Sequence, residues 1–359
     1  MIHYSPMRIL VALLLLVAPG APAQTLRELG AQRKVRMGAA VDTADIANDA
    51  AYAALLAQQY DMIEAENEMK WAAVEPAEGV FRFAAGNTLA SFAQAHGMKL
   101  RGHNLCWHSY NPRWLAKGAF TPSQLSKLLE TYITTVAGHF KGKVFAWDVV
   151  NEAVADNGGG LRDSIWYNKP GIGVTGPGYI DQAFRWAHAA DPDAVLFYND
   201  YDVEDPTNNP KSDAMYSLVK GMLARGVPIG GVGLQLHIAA GGKFSAAGLD
   251  ANIARLIALG LQVQFTELDV RIPVDASGNA SAGDLAAQAQ RYRDVVAVCL
   301  KYPACTAIQT WGFTDKHSWI PQFYKGYGAA LPFDKNYQPK PAYASMLRAL
   351  AGTTGSTGN

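Results

Sequence analysis

Eight apolar runs of β type, each followed by a segment with helical periodicity, constrain this 359-residue chain more than any other feature. The strand-like runs fall at 35–41, 60–66, 99–107, 144–150, 194–199, 232–237, 263–268 and 306–312. The helix-like ones fall at about 46–59, 88–96, 121–140, 179–190, 212–224, 247–259, 286–300 and 342–351. The strands are rich in Val, Ile, Leu and Phe, while the helices repeat at the longer period. Helix ends carry their own signals: Thr121-Pro122 opens one helix, and Gly97 and Gly260 close two others. Unbroken alternation of this kind predicts an α/β fold, a (β/α)8 TIM barrel in a single domain. The open doubly wound sheet is the alternative, but the Gly-rich first turn that marks it is absent.

The barrel is expected to occupy residues 24–351. Ahead of it, Arg8 precedes an apolar run from Ile9 to Val17, and Ala21-Pro22-Ala23 ends the segment before Gln24. That pattern reads as a signal peptide over 1–23, too short for a membrane span. The expected product is therefore a soluble protein, secreted or periplasmic, with a flexible tail at 352–359. Such a compartment permits disulfides. Cys299 and Cys305 flank an expected helix end and turn and are expected to pair, while Cys106 reads as a small buried hydrophobe. No Cys/His spacing indicates a metal, and none is expected. Lys plus Arg equals Asp plus Glu at 31 each, which argues against nucleic acid as a partner.

In such a barrel the site lies at the carboxyl ends of the strands. The second run delivers Glu66, Asn67 and Lys70 there, and the third His103, Asn104, Trp107 and His108. The fourth gives Asn151 and Glu152, the fifth Asn199, Asp200 and Tyr201, and the sixth Gln235 and His237. The seventh gives Glu267 and Asp269, and the eighth Trp311, with Trp319 in the loop that follows. A lone strand-end glutamate is more often a paired structural group than a catalyst. Two glutamates across the mouth of one barrel are different, because two carboxyls flanking one bond are what glycoside hydrolysis requires. Trp107, Trp311 and Trp319 suit the apolar faces of sugars, and Asn151 suits a sugar hydroxyl.

Five motifs then match a known family. WDVVNEA at 147–153 and FTELD at 265–269 resemble the two catalytic motifs of family 10 glycoside hydrolases, the endo-β-1,4-xylanases. ENEMKW at 66–71, RGHNLCWH at 101–108 and WGFTDKHSW at 311–319 resemble the same family, in the expected order from about Leu26 to Leu350. The resemblance implies a retaining mechanism without a cofactor, acting on xylan and xylo-oligosaccharides, in a protein expected to be a monomer. It implies Glu267 as nucleophile and Glu152 as acid and base. It implies Asn151 on the 2-hydroxyl of the sugar at the cleavage point, and Glu66, Asn67 and Lys70 on the next sugar toward the non-reducing side. His103, Trp107 and Trp311 would line the sugar whose bond is cut. His237 would hydrogen-bond the nucleophile and be oriented by Asp269, Gln235 would lie near Glu152, and Trp319 would cover the glycone.

The departures are Cys106, Tyr110 and Leu236, where Val-like, Gln-like and small polar residues are expected; none removes a catalytic group. Three rival readings remain at this stage. A non-catalytic sugar-binding protein would not need both glutamates. A metal-dependent hydrolase would draw on His103, His108 and His237. A cellulase or other β-1,4-glycanase would differ only in its sugar. The Gly-rich loop at 157–160 has no assigned part.

Overall fold

The computed structural model describes residues 24–352. The expected leader at 1–23, and the expected tail beyond Gly352, lie outside the described residues. Eight parallel strands form the centre: β1 (Arg36–Val41), β2 (Met62–Ala65), β3 (Lys99–Trp107), β4 (Val144–Asn151), β5 (Val195–Asp200), β6 (Gly231–Leu234), β7 (Gln262–Pro273) and β8 (Cys305–Thr310). Each pairs with its neighbours in chain order, and β8 pairs with both β7 and β1, so the sheet closes on itself. A closed ladder leaves no unpaired edge. Helices pack their apolar stripes around it. The helix Pro122–His139 shows how: Thr121 and Gln124 form a capping box, and Leu125, Leu129, Tyr132, Ile133 and Val136 bury one face at helical spacing. A disulfide joins Cys299, at the end of the helix Ala282–Cys299, to Cys305 at the start of β8.

Three elements differ from the sequence reading. A helix at Leu26–Arg33, with Thr25 and Glu28 as its capping box, precedes β1; its weak amphipathic pattern hides it from periodicity. The expected helix over 46–59 is two helices, Thr43–Asn48 and Ala50–Gln59. Asp49 divides them because its backbone is extended and its Oδ1 accepts from Ala51 N and Tyr52 N, starting the second helix afresh. The expected strand over 232–237 is broken. β6 stops at Leu234, Leu236 takes a left-handed backbone at φ +60°, and a short strand, His237–Ala239, then pairs with the outer half of β7. The break is held by Glu204, whose Oε1 accepts from Leu236 N at 2.8 Å.

The interior of the barrel is not wholly apolar. Arg101 of β3 is fully buried beneath the mouth. It donates to both oxygens of Asp148 on β4, to Glu64 Oε2 on β2 at 2.7 Å, and to Gln264 Oε1 on β7 at 3.1 Å. Asp148 also faces His103 Nδ1 at 2.9 Å. Burial disfavours the charge on Asp148, but Arg101 and His103 outweigh it and hold the carboxyl below its usual range. Glu64 takes one hydrogen bond from Arg101 and has none on its other oxygen, and burial, with Asp148 nearby, leaves its pKa raised. Removing one partner of such a buried set strands the others. Arg101→Met is expected to lower unfolding stability by about 3–5 kcal/mol in urea melts, and a loss below about 1 kcal/mol would contradict this account.

Candidate active site

β4 ends on Asn151, and Glu152 turns the chain with a left-handed backbone at φ +56°. A non-glycine residue in that region costs about 1–3 kcal/mol and persists only where its surroundings fix it. Glu152 N donates to Asn199 O at 2.8 Å. Its carboxyl meets three donors: Trp107 Nε1 at 2.8 Å on Oε2, and Gln235 Nε2 and Asn151 Nδ2 at 3.1 and 3.2 Å on Oε1. Burial, with the negative fields of Asp200 and Glu267, outweighs those bonds and raises the pKa of Glu152. Asp200 is itself fully buried, with Lys211 Nζ 2.8 Å away.

Glu267, on β7, is treated in the opposite way. Burial works against its charge, but the hydrogen bond from His237 and the positive fields of His103 and His237 prevail and lower its pKa. His237 Nε2 lies 3.1 Å from Glu267 Oε2, and its Nδ1 lies 2.8 Å from Asp269 Oδ2. Burial opposes charge on His237 too, yet Asp269 and Glu267 raise its pKa well above that of a free imidazole, and each ring nitrogen faces a carboxylate oxygen. Trp319 Nε1 donates to Asp269 Oδ2 at 2.9 Å.

One amide ties the two carboxyls together. Asn199 Nδ2 donates to Glu267 Oε1 at 2.7 Å and to Asn151 Oδ1 at 2.9 Å. Thr266 Oγ1 donates to Asn199 Oδ1 at 2.7 Å, which sets the orientation of that amide and leaves Asn151 Nδ2 facing Glu152. Gly233 makes the room: a Cβ there would sit 2.2 Å from Asn199 Oδ1.

The remaining rim is aromatic and polar. Lys70 Nζ donates to Asn67 Oδ1 at 3.1 Å and lies 4.4, 5.2 and 5.5 Å from the ring centres of Tyr110, Trp107 and Trp311. Burial lowers its pKa. Burial, helped by Glu68 and Asp42, pushes Glu66 up to about 8, so at neutral pH its carboxyl offers both a donor and an acceptor. Trp311 meets His103 edge to face, with ring centres 5.3 Å apart. Trp319 meets His237 in the same way at 5.0 Å. Direct contacts thus link Trp107, Asn151, Glu152, Asn199, Gln235, His237, Glu267, Asp269 and Trp319 at the mouth, with His103, Trp311 and Lys70 beside them. The one group among the described residues spaced to ligate a metal, Glu64, His103 and Asp148, already holds Arg101 against its two carboxylates.

Several residues have parts that the sequence did not give them. Asn199 and Asp200 were legible as strand ends but not as the bridge and the field described above. His108 Nδ1 lies 4.0 Å from Glu152 Oε2, and burial together with Arg162 pushes that imidazole down to about 4. Arg162, which donates to the backbone of Glu152, sits ten residues further along in an irregular loop, where no periodicity marks it.

The sequence profile of glycosyl hydrolase family 10 matches residues 25–349. Endo-1,4-beta-xylanase B of Thermotoga neapolitana is 41% identical over 299 residues, 83% of each chain. Endo-1,4-beta-xylanase 1 of Humicola insolens is 39% identical over 346 residues, covering 96% of this chain and 78% of that one. Among solved structures, xylanase 10B from Thermotoga petrophila RKU-1 in complex with xylobiose superposes with a TM-score of 0.87 at 39% identity, over 93% of this chain and 99% of that one. With a profile match across the whole barrel and relatives at this identity, the chain belongs to glycosyl hydrolase family 10.

Proposed function

We propose that the protein is an endo-1,4-β-xylanase that cleaves internal xylosidic bonds with retention, using Glu267 as nucleophile and Glu152 as acid and base. The observation that carries this reading is the different setting of two carboxyls linked through Asn151 and Asn199: Glu267 lies between His237 and Asn199 and is favoured as the carboxylate, while Glu152 lies in the field of Asp200 and is favoured as the acid. The relatives compared above, each named as a xylanase, support xylan as the polymer.

In the first step a Glu267 oxygen forms a bond to the anomeric carbon as the glycosidic C–O bond breaks, and the proton of Glu152 passes to the leaving oxygen. Glu267 is then an ester without charge, so its field no longer holds the proton on Glu152. In the second step Glu152 takes a proton from water, the water oxygen bonds to the anomeric carbon, and Glu267 leaves as a carboxylate. Asn199 and His237 steady the nucleophile in both states, and Asn151 is placed to meet the 2-hydroxyl. Acid, base and nucleophile all come from side chains, so this chemistry calls for no cofactor. The leader-like segment at 1–23 supports export to the periplasm or medium, where a soluble monomer would meet the polymer.

Glu267→Ala is expected to remove xylan turnover by ~10⁴-fold or more while the circular dichroism of the folded protein is kept. Near-normal activity in that variant would end the proposal, and equal wild-type rates on xylan and cellulose would end its substrate part. Glu152→Ala should spare the first step on a dinitrophenyl xylobioside, whose leaving group needs no proton, while xylan hydrolysis collapses. Parallel losses on both would remove Glu152 from the acid role. The pH profile of kcat/KM on xylan should fall on the acid side as Glu267 gains its proton and on the basic side as Glu152 loses its own. The basic limb should vanish for Glu152→Ala acting on the dinitrophenyl substrate.

A further inference from the structure

The segment after Glu152 folds back on it. Arg162 N donates to Ala153 O at 2.7 Å, and Ala155 N donates to Gly160 O at 2.9 Å, making a short hairpin of residues 153–162. The Gly-rich turn permits this. Gly158 has φ +69° and Gly160 φ +127°, and a Cβ on Gly158 would also lie 2.8 Å from the backbone carbon of Pro210. The hairpin brings the Arg162 side chain over the turn at Glu152. Its Nε donates to Glu152 O at 3.2 Å, and a terminal nitrogen donates to Val154 O at 3.4 Å.

The guanidinium is itself clamped. Both its terminal nitrogens donate to Asp156, at 2.5 and 3.2 Å, and one donates to Tyr201 Oη at 2.8 Å. Lys211 Nζ lies 3.4 Å from the centre of the Tyr201 ring and 2.8 Å from Asp200 Oδ1. Asp200 Oδ2 accepts from Val154 N at 3.4 Å. Backbone groups from the carbonyl of Glu152 onward are therefore pinned by one charged cluster drawn from the loop after β4, the end of β5 and the start of the helix Lys211–Ala224, while Glu152 N is held on the other side by Asn199 O. Glu267 is held by Asn199 and His237, neither of which belongs to that cluster.

We propose that Arg162, oriented by Asp156 and Tyr201, is a positioning residue that keeps the carboxyl of Glu152 at the scissile bond by holding its backbone in the left-handed conformation. This rests on the acid role proposed for Glu152. Without the guanidinium, Glu152 relaxes toward negative φ, and its carboxyl leaves the donors on Trp107 and Gln235. The nucleophile stays where it is.

The test compares Arg162→Leu and Asp156→Asn with wild type on xylan and on a dinitrophenyl xylobioside, alone and in a Glu152→Ala background. For Arg162→Leu, kcat/KM on xylan should fall about 10–100-fold while the dinitrophenyl value stays within about threefold. In the Glu152→Ala background the same substitution should cause no further loss on the dinitrophenyl substrate, because the group it positions is gone. Asp156 has a side chain 61% exposed, so Asp156→Asn should fold and show a smaller loss with the same substrate dependence, even if Arg162→Leu does not fold. Equal losses on both substrates, an unchanged rate on xylan, or a full additional loss without Glu152 would each overturn the proposal. Failure of the acid role itself would be seen separately, as a Glu152→Ala variant that does not distinguish the two substrates.

Discussion

A guanidinium with no access to water underlies the mouth of this barrel. Isolating Arg101 from solvent is offset only because Asp148 takes it in both oxygens and Glu64 and Gln264 take the rest. That arrangement fixes Asp148, which in turn orients His103 through Nδ1. Burial opposes a proton on His103, but Asp148 and Glu64 raise its pKa, and its field reaches Glu267. The charge on Glu267 is thus favoured in part by a network anchored one layer below the mouth.

Two fields of opposite sign divide the mouth. On the side of β4 and β5, Asp200 opposes ionisation of Glu152. On the side of β7 and the broken β6, His103 and His237 favour ionisation of Glu267. The residues at issue are both glutamates, Glu267 buried and Glu152 slightly exposed, and a single amide on Asn199 links their neighbourhoods. Chemistry of this kind needs two identical groups to behave differently at one pH, and the barrel provides that by drawing their surroundings from different strands.

The order of elements, the ring and the strand-end identities could be read from the chain, because burial on both faces and helical period leave a pattern that repeats eight times. Glu152, Glu267 and their aromatic walls followed from that placement. What could not be read depended on contacts between distant segments. The break at Leu236 requires a carboxylate from Glu204, 32 residues earlier in the chain. The same strand read as continuous because Gln235 and Leu236 carry no turn signal of their own. Asp49 lies within an alanine-rich stretch whose composition favours helix, and its role as a cap appears only with its backbone conformation. Asn199 was visible as a residue and not as a bridge, since its two acceptors come from other strands.

Asp49 also does something at the far side of the ring. Its Oδ1 starts the helix Ala50–Gln59, while its Oδ2 accepts from Lys316 Nζ and from Tyr337 Oη, both at 2.6 Å. Lys316 belongs to the loop that carries Trp319 over His237. The first connection of the chain and the last are therefore buckled above the sheet, at the same seam where β1 and β8 meet within it. Undoing that clasp would let the cover over His237 lift while the ladder beneath remained shut, so the roof of the mouth and the wall of the barrel can fail separately.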